Sequence, residues 1–223
     1  MFLILNTFFS TETFEVLLNV ASAMIFLLQL IIVIRWRQFD RLQKLISFIV
    51  ILTFLNEGTT WLLVYFGEDN LWIYHFYTPI TFIFMGLVYS RVLKPVIKVR
   101  LIYLGILLFV IFAVINSLFI QDLSEFNSNT VRLSSIFYIV FSILYFFRLL
   151  KFPMNISLSK VPMFWLNTGV LVYYSGTLIL FLVVDSVISD ESDLFIASWI
   201  LNALFNIVLL GFYSVALCLK PQD

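Results

Sequence analysis

The stretch FLNEGTTWLLVYF, residues 54–66, places an acid and an amide inside an apolar run. Glu57 has apolar chain on both sides and no basic residue within the run. An ionised side chain at the centre of a bilayer costs about 3 kcal/mol, so a carboxyl at that depth is a functional candidate. We therefore expect Glu57 to be protonated and to face the interior of a helix bundle, as a ligand or proton site. The alternative is a neutral structural glutamate hydrogen-bonded to Asn202 or to a tyrosine.

Other polar side chains fall at nearly the same depth as Glu57. A helix rises about 1.5 Å per residue, which puts Glu57 roughly 13 Å below the outer end of its span. The same count gives roughly 12 Å for Asn202, 10 Å for Tyr138 and Thr177, and 15 Å for Tyr174. These positions predict a polar cavity in one half of the membrane. The candidate site comprises Asn56, Glu57, His75, Thr78, Tyr138, Tyr174, Thr177, Asn202 and Asn206.

Helical spacing places several of these residues in stripes. The fifth apolar run carries Ser135, Tyr138, Ser142 and Tyr145, and the seventh carries Trp199, Asn202, Asn206 and Tyr213. Residues at such spacing share one face of a helix. Polar side chains within lipid need a partner or a water-lined cavity, so the stripes predict the faces that point into the bundle. Packing and hydrogen bonding between helices is the alternative to a ligand site.

His75 is the only histidine in the chain. It lies roughly 7 Å closer to the outer surface than Glu57, so a direct hydrogen bond between the two requires helix tilt or a bridging water. One interpretation is an interfacial residue hydrogen-bonded near the lipid headgroups. The other is a pH-sensitive or ligand-contacting group at the mouth of the cavity.

Composition indicates that lipid is the solvent for most of this chain. Of its 223 residues, 62% are hydrophobic and 12% charged, whereas a soluble domain averages about 45–50% apolar and 25% charged. Runs of roughly 20 apolar residues each match one bilayer crossing. The sequence predicts a single all-α domain, a bundle of seven transmembrane helices. Their expected bounds are about 14–34, 45–66, 71–92, 101–120, 131–150, 161–184 and 194–219.

Lysine and arginine set the expected orientation. With seven spans, twelve of the 13 basic residues fall on one side of the membrane and only Arg132 falls on the other. The N-terminus is therefore expected outside and the C-terminus in the cytoplasm, in a multi-pass protein of a bacterial cytoplasmic (inner) membrane. The N-terminal MFLILNTFFSTET has no basic residue and no small-residue cleavage site. We expect it to be a short leader that lies on or enters the membrane, rather than a removed signal peptide.

Several functions of seven-span proteins need residues that the sequence does not contain. No lysine lies within a span, as a retinal Schiff base requires, and one histidine is too few for a zinc hydrolase or a bis-histidine haem. We expect no catalytic residues, no metal and no cofactor. No basic stripe follows the chain, so nucleic acid is not an expected partner. The expected partners are the lipid bilayer and a protein in a membrane complex or signalling pair.

The pair Asn56-Glu57 in the second span, followed by LWIYHFYTPI at the start of the third, resembles a set of uncharacterised small bacterial seven-span proteins. The resemblance covers residues 45–92. Members of that set often carry an acid one turn after the Tyr-His-x-Tyr motif, where this chain has Thr81. What the resemblance implies is the seven-helix architecture.

These observations favour a receptor- or sensor-like protein. Such a protein would bind a small apolar or amphipathic ligand in the outer-half cavity and signal to a separate partner, because its cytoplasmic loops are too short to hold an effector domain. One alternative is a transporter or pore component that uses Glu57 as a proton- or cation-coupling carboxylate. Others are a structural subunit of a membrane complex, and a membrane-embedded enzyme that uses Glu57 and His75.

Overall fold

The computed structural model describes residues 10–187 and 193–221 of the chain. Within those ranges the secondary structure is helical, with seven α-helices and two short 3₁₀ turns, at Trp36–Gln38 and Leu158–Lys160. The helices are α1 (Thr11–Arg35), α2 (Arg41–Phe66), α3 (Trp72–Val92), α4 (Val99–Phe119), α5 (Ser128–Lys151), α6 (Pro162–Val187) and α7 (Asp193–Cys218). The predicted all-helical fold is therefore confirmed. Residues 1–9 of the predicted leader lie outside the described residues.

Capping residues fix where the first two helices begin and end. Ser10 caps α1 by accepting a hydrogen bond from the Thr13 N–H at 3.2 Å. Asp40 and Gln43 form a reciprocal capping box at the start of α2, with 2.7 Å between Gln43 N and Asp40 Oδ1. Gly67 ends α2 in the left-handed conformation, with φ of 73°, which glycine adopts without steric cost. The Thr11–Thr13 segment thus belongs to α1 and not to the leader.

The helices pack as a closed ring in chain order, with α7 returning to α1. Two further contacts cross the ring, because α3 also packs on α5 and α2 also packs on α7. Helices α1 and α4 have only peripheral positions: α1 contacts α2 and α7, and α4 contacts α3 and α5. The other five helices therefore enclose the centre, and we call this region the five-helix interior; α1 and α4 add buried side chains such as Leu28 and Phe109 from the periphery.

Small residues on α6 allow α7 to approach closely. A Cβ added at Gly169 would lie 2.7 Å from Phe212 Cβ, and one added at Gly176 would lie 2.5 Å from Phe205 Cζ. Both distances are shorter than real carbon atoms tolerate. The two α7 phenylalanines thus occupy the space that a side chain on α6 would need.

Large apolar side chains cover the outside of the bundle. Val33 and Ile34 on α1, Phe119 on α4 and Leu150 on α5 are each at least 76% exposed. Such a surface is compatible with lipid and not with water. Six of the helical segments are long and apolar enough to cross a membrane, so the chain is a helical, multi-pass membrane protein.

Helix α3 is the one α-helix in the described ranges that is not apolar enough to be counted among those six. It is 21 residues long, which suffices for one crossing. Ten of its residues are buried, and among them are His75, Thr78, Thr81 and Ser90. A helix that faces protein on several sides can carry polar residues without exposing them to lipid. Its lower apolarity therefore follows from its interior position.

Candidate functional site: a polar and aromatic cavity

One end of the bundle contains an internal cavity of about 310 Å³. It lies at the α2–α3 end, which we define as the end where α2 stops at Phe66 and α3 starts at Trp72. Its walls come from α2, α3, α5, α6 and α7, with Asn70 and Leu71 from the α2–α3 loop and Phe126 from the α4–α5 loop. The peripheral helices α1 and α4 contribute no lining residue among those described. The cavity therefore occupies the centre of the five-helix interior.

Eight of the nine residues in the predicted site line this one cavity. They are Asn56, Glu57, Thr78, Tyr138, Tyr174, Thr177, Asn202 and Asn206. The polar stripes of α5 and α7 thus meet polar faces of α2, α3 and α6 at one depth. That these residues bind a ligand or a proton stays a prediction.

Aromatic rings form much of the wall. The Tyr138 and Tyr174 ring centroids are 4.4 Å apart, and those of Tyr173 and Tyr174 are 4.8 Å apart. The Tyr77 hydroxyl lies 2.9 Å from Thr53 Oγ1, which joins α3 to α2. Packed rings and interhelical hydrogen bonds of this kind hold a preformed shape. A ligand here would meet rings on several sides.

Glu57 is the only acidic residue in the lining, and no lysine, arginine or histidine is present among the described lining residues. Its carboxyl group is half-buried and lies within electrostatic range of Tyr74, Tyr77 and Tyr173. The site therefore offers acidic and aromatic groups without a basic counter-charge.

Two buried amide oxygen atoms in the lining, Asn56 Oδ1 and Asn202 Oδ1, have no hydrogen-bond partner among the described residues. A buried polar atom without a partner costs about 1–3 kcal/mol. The alternative in which a protonated Glu57 donates a hydrogen bond to Asn202 Oδ1 is not observed, because this oxygen has no partner among the described residues. The cavity thus presents unused acceptors as well as a carboxyl group.

His75 does not line the cavity. Its Nδ1 lies 2.7 Å from Ser117 Oγ on α4, and its Nε2 lies 3.1 Å from the Glu125 carbonyl oxygen in the α4–α5 loop. The side chain is 4% exposed. The Glu57–His75 hydrogen bond considered from the sequence is therefore not formed, because both ring nitrogens of His75 are hydrogen-bonded to Ser117 and to the Glu125 carbonyl oxygen. His75 instead fastens α3 to α4 and to the loop.

The α4–α5 loop covers the cavity from the α2–α3 end. Asn127 donates a hydrogen bond from Nδ2 to the Tyr74 carbonyl oxygen at 3.2 Å. Asn116, fully buried on α4, donates to Asn127 Oδ1 at 3.3 Å. The Phe126 ring packs between those of Tyr74 and Trp199, with centroid distances of 6.1 and 6.2 Å. The cover is therefore fixed by side-chain hydrogen bonds.

A buried hydrogen-bonded triad lies one helical turn beyond Tyr138. Tyr89 donates a hydrogen bond to Asn167 Oδ1 at 2.8 Å, and its hydroxyl lies 2.9 Å from Ser142 Oγ. Asn167 Nδ2 donates to the Ser142 carbonyl oxygen at 3.3 Å. The triad joins α3, α5 and α6 in the bundle centre. None of its three residues lines the cavity.

Some residues that line the cavity were not predicted from the sequence. Thr53, Thr60 and Tyr77 belong to it, although they are not in the predicted set. Thr53 and Thr60 lie one helical turn on either side of the Asn56-Glu57 pair, and Tyr77 precedes Thr78. The i, i+3 and i+4 spacing from Glu57 is the signal that identifies the two threonines.

No family model matches the chain, and no curated protein and no solved structure shows significant similarity to it. The geometry of the cavity is therefore the basis for assigning a function.

Proposed function

We propose that this protein is a receptor- or sensor-like membrane protein of seven spans. In this proposal the cavity binds a small amphipathic ligand that carries hydrogen-bond donors, such as a protonated amine. The supporting observation is the lining: one carboxyl group, unused oxygen acceptors and tyrosine rings, with no basic side chain among the described residues.

The chemistry of these groups selects the ligand class. An ammonium group has donors only, which match the acceptors of Asn56 and Asn202 and the Glu57 carboxylate. Tyrosine faces attract a cation through their quadrupoles and also accept an apolar tail. An anionic ligand would face Glu57 without a counter-charge. The cavity volume of about 310 Å³ fits a small molecule.

In the proposed arrangement all seven helices cross the membrane, with the N-terminus outside and the C-terminus in the cytoplasm. The α2–α3 end then faces the exterior, so the ligand enters from outside. The signal passes to a separate protein partner, since the loops at the cytoplasmic end are too short to hold an effector domain.

Ligand binding is tested by thermal unfolding of the purified protein in a non-ionic detergent. The probes are primary alkylamines and alcohols of equal chain length. Amines are expected to raise Tm more than alcohols, because only the ammonium group can pair with the Glu57 carboxylate. A ligand at 100 times its Kd stabilises the folded state by about 2.7 kcal/mol. Glu57→Gln keeps the shape of the side chain but cannot ionise to pair with an ammonium group, and is expected to abolish the difference.

Glu68→Gln is the matched control, because Glu68 is exposed in the α2–α3 loop and does not line the cavity. This variant is expected to respond to amines as the unmodified protein does. The proposal is overturned if no amine raises Tm, or if Glu57→Gln retains the full amine response.

The acidic group at the cavity wall also favours a second candidate, a transporter in which Glu57 couples flux to protons or cations. Amine-driven pH changes in proteoliposomes separate the two candidates. A transporter produces a flux that Glu57→Gln abolishes, whereas a receptor binds amines without flux. Co-purification of a stable membrane protein fits both a receptor with its signalling partner and a structural subunit, and amine binding then separates these two.

A further inference from the structure

A second cavity, a groove of about 910 Å³, lies at the opposite end of the bundle. Its lining comes from the first residues of α2 and α6 and the last residues of α3 and α5, together with the α1–α2 and α5–α6 connections. We call it the basic groove. It shares no lining residue with the cavity described above. It goes beyond the proposed function, because nothing in that function uses it.

Positive charge dominates the basic groove. Its lining includes Arg41, Lys44, Arg91 and Arg148, against one acidic residue, Asp40, which gives a formal balance of four minus one, or +3. Asp40 already accepts the N–H of Gln43 as the cap of α2. A concave surface with this balance raises the local concentration of anions.

Two buried polar groups in the groove lack partners among the described residues. They are Arg148 Nε and the Tyr145 hydroxyl. Tyr145 is fully buried, and the Arg148 guanidinium carbon lies 5.9 Å from the centre of its ring. Both groups can donate a hydrogen bond, and arginine matches the geometry of phosphate oxygens. The acceptor oxygens of a phosphate group are chemically complementary to both donors.

The rest of the lining is mostly apolar. Phe39, Leu42, Val92, Met154 and Ile156 belong to it. Grooves between transmembrane helices that combine basic and apolar side chains suit phosphate esters with apolar tails. We propose that the basic groove binds a phosphate group, held by Arg148 and Tyr145 and attracted by the other basic side chains. The phosphate comes from an anionic lipid headgroup or from free phosphate.

Native mass spectrometry of the full chain in a neutral detergent tests the lipid source. The probes are phosphatidylglycerol and phosphatidylcholine with identical acyl chains. Calorimetric titration with inorganic phosphate tests the free source. We expect the net anionic phosphatidylglycerol to be retained about tenfold more than the zwitterionic lipid, which corresponds to a difference of 1.4 kcal/mol.

Three variants assign the binding to the groove. Arg148→Gln and Tyr145→Phe are each expected to weaken binding about tenfold. Tyr145→Phe retains the ring and removes a hydroxyl without a protein partner among the described residues, so it is expected to fold normally. Arg37→Gln is the control, because Arg37 lies at the same end of the bundle but does not line the groove.

The outcomes are distinct. Loss of phosphatidylglycerol in both variants but not in the control supports the site with a lipid ligand. The same pattern with inorganic phosphate alone supports the site with a free ligand. The proposal is overturned if neither phosphatidylglycerol nor inorganic phosphate binds. It is also overturned if Arg148→Gln and Tyr145→Phe bind the retained probe as tightly as the unmodified protein does.

Discussion

Two buried tyrosines on neighbouring helices differ in what their hydroxyl groups do. Tyr89 donates a hydrogen bond to Asn167 at 2.8 Å, whereas the Tyr145 hydroxyl has no partner among the described residues. Tyr89→Phe leaves the Asn167 acceptor without its donor. We expect a loss of about 1 kcal/mol in the free energy of unfolding, measured by chemical denaturation in detergent micelles.

Tyr145→Phe is the matched control for this prediction. It makes the same atomic change at a position that is equally buried, without breaking a hydrogen bond within the described part of the chain. Its stability is expected to equal or exceed that of the unmodified protein. Equal destabilisation by the two substitutions would show that the triad contributes no specific stabilisation.

At the residue scale, the sequence predicted which polar side chains share a depth, because helical rise is nearly constant. It did not predict their partners. Glu57 has Tyr74, Tyr77 and Tyr173 in electrostatic range, and the alternative hydrogen bond to Asn202 Oδ1 is not formed among the described residues. Partners depend on helix rotation and adjacency, which residue types alone do not specify.

At the scale of elements, the α6–α7 contact gives a test of close packing. Gly169→Ala would place a Cβ 2.7 Å from Phe212 Cβ, an atom held close to the α7 backbone. The helices must separate locally to relieve this overlap. We expect destabilisation of about 1–3 kcal/mol, measured as a lower midpoint of thermal unfolding.

Gly58→Ala serves as the comparison. Gly58 lies within α2, and a Cβ added there meets no atom within 4 Å. Alanine favours helix by up to about 1 kcal/mol over glycine, so this variant is expected to be at least as stable. A Gly169→Ala protein as stable as Gly58→Ala would contradict the close α6–α7 packing.

The bounds of the helices follow closely from the apolar runs. The largest difference is at the start of α2, which begins at Arg41 where the sequence predicts about 45. The capping box of Asp40 and Gln43 explains it, because it extends the helix into polar sequence. Periodicity does not show such extensions, since polar residues at a helix end leave no apolar signal.

At the scale of the whole molecule, the seven-span topology depends on α3. If α3 crosses the membrane, the α2–α3 and α3–α4 loops lie on opposite sides. In a Cys218→Ser background, Glu68→Cys is expected to react with a membrane-impermeant maleimide added to intact cells. Lys94→Cys is expected to react only after permeabilisation. Both positions are exposed in the structure.

Reaction of both cysteines in intact cells would show that α3 does not cross, and would leave six spans. Reaction of Lys94→Cys alone would reverse the proposed orientation. Ser124→Cys in the α4–α5 loop provides an internal check, because it lies at the same end of the bundle as Glu68 and is also exposed. It is expected to give the same result as Glu68→Cys.

The sequence by itself determined the class of this protein and the positions of its helices. Apolar runs of membrane-spanning length, interrupted by polar breaks, leave helices as the only element that satisfies their own backbone hydrogen bonds in lipid. It also predicted the relative positions of the polar residues along their helices, because the rise per residue is nearly constant.

Only the tertiary structure decided which of those residues meet. It brought eight predicted residues to one cavity and excluded His75, whose ring nitrogens bind Ser117 and the Glu125 carbonyl oxygen. It also joined four basic side chains from α2, α3 and α5 around a separate groove. The physical reason is that helix rotation and neighbour choice follow from side-chain packing across the bundle, as between Gly169 and Phe212.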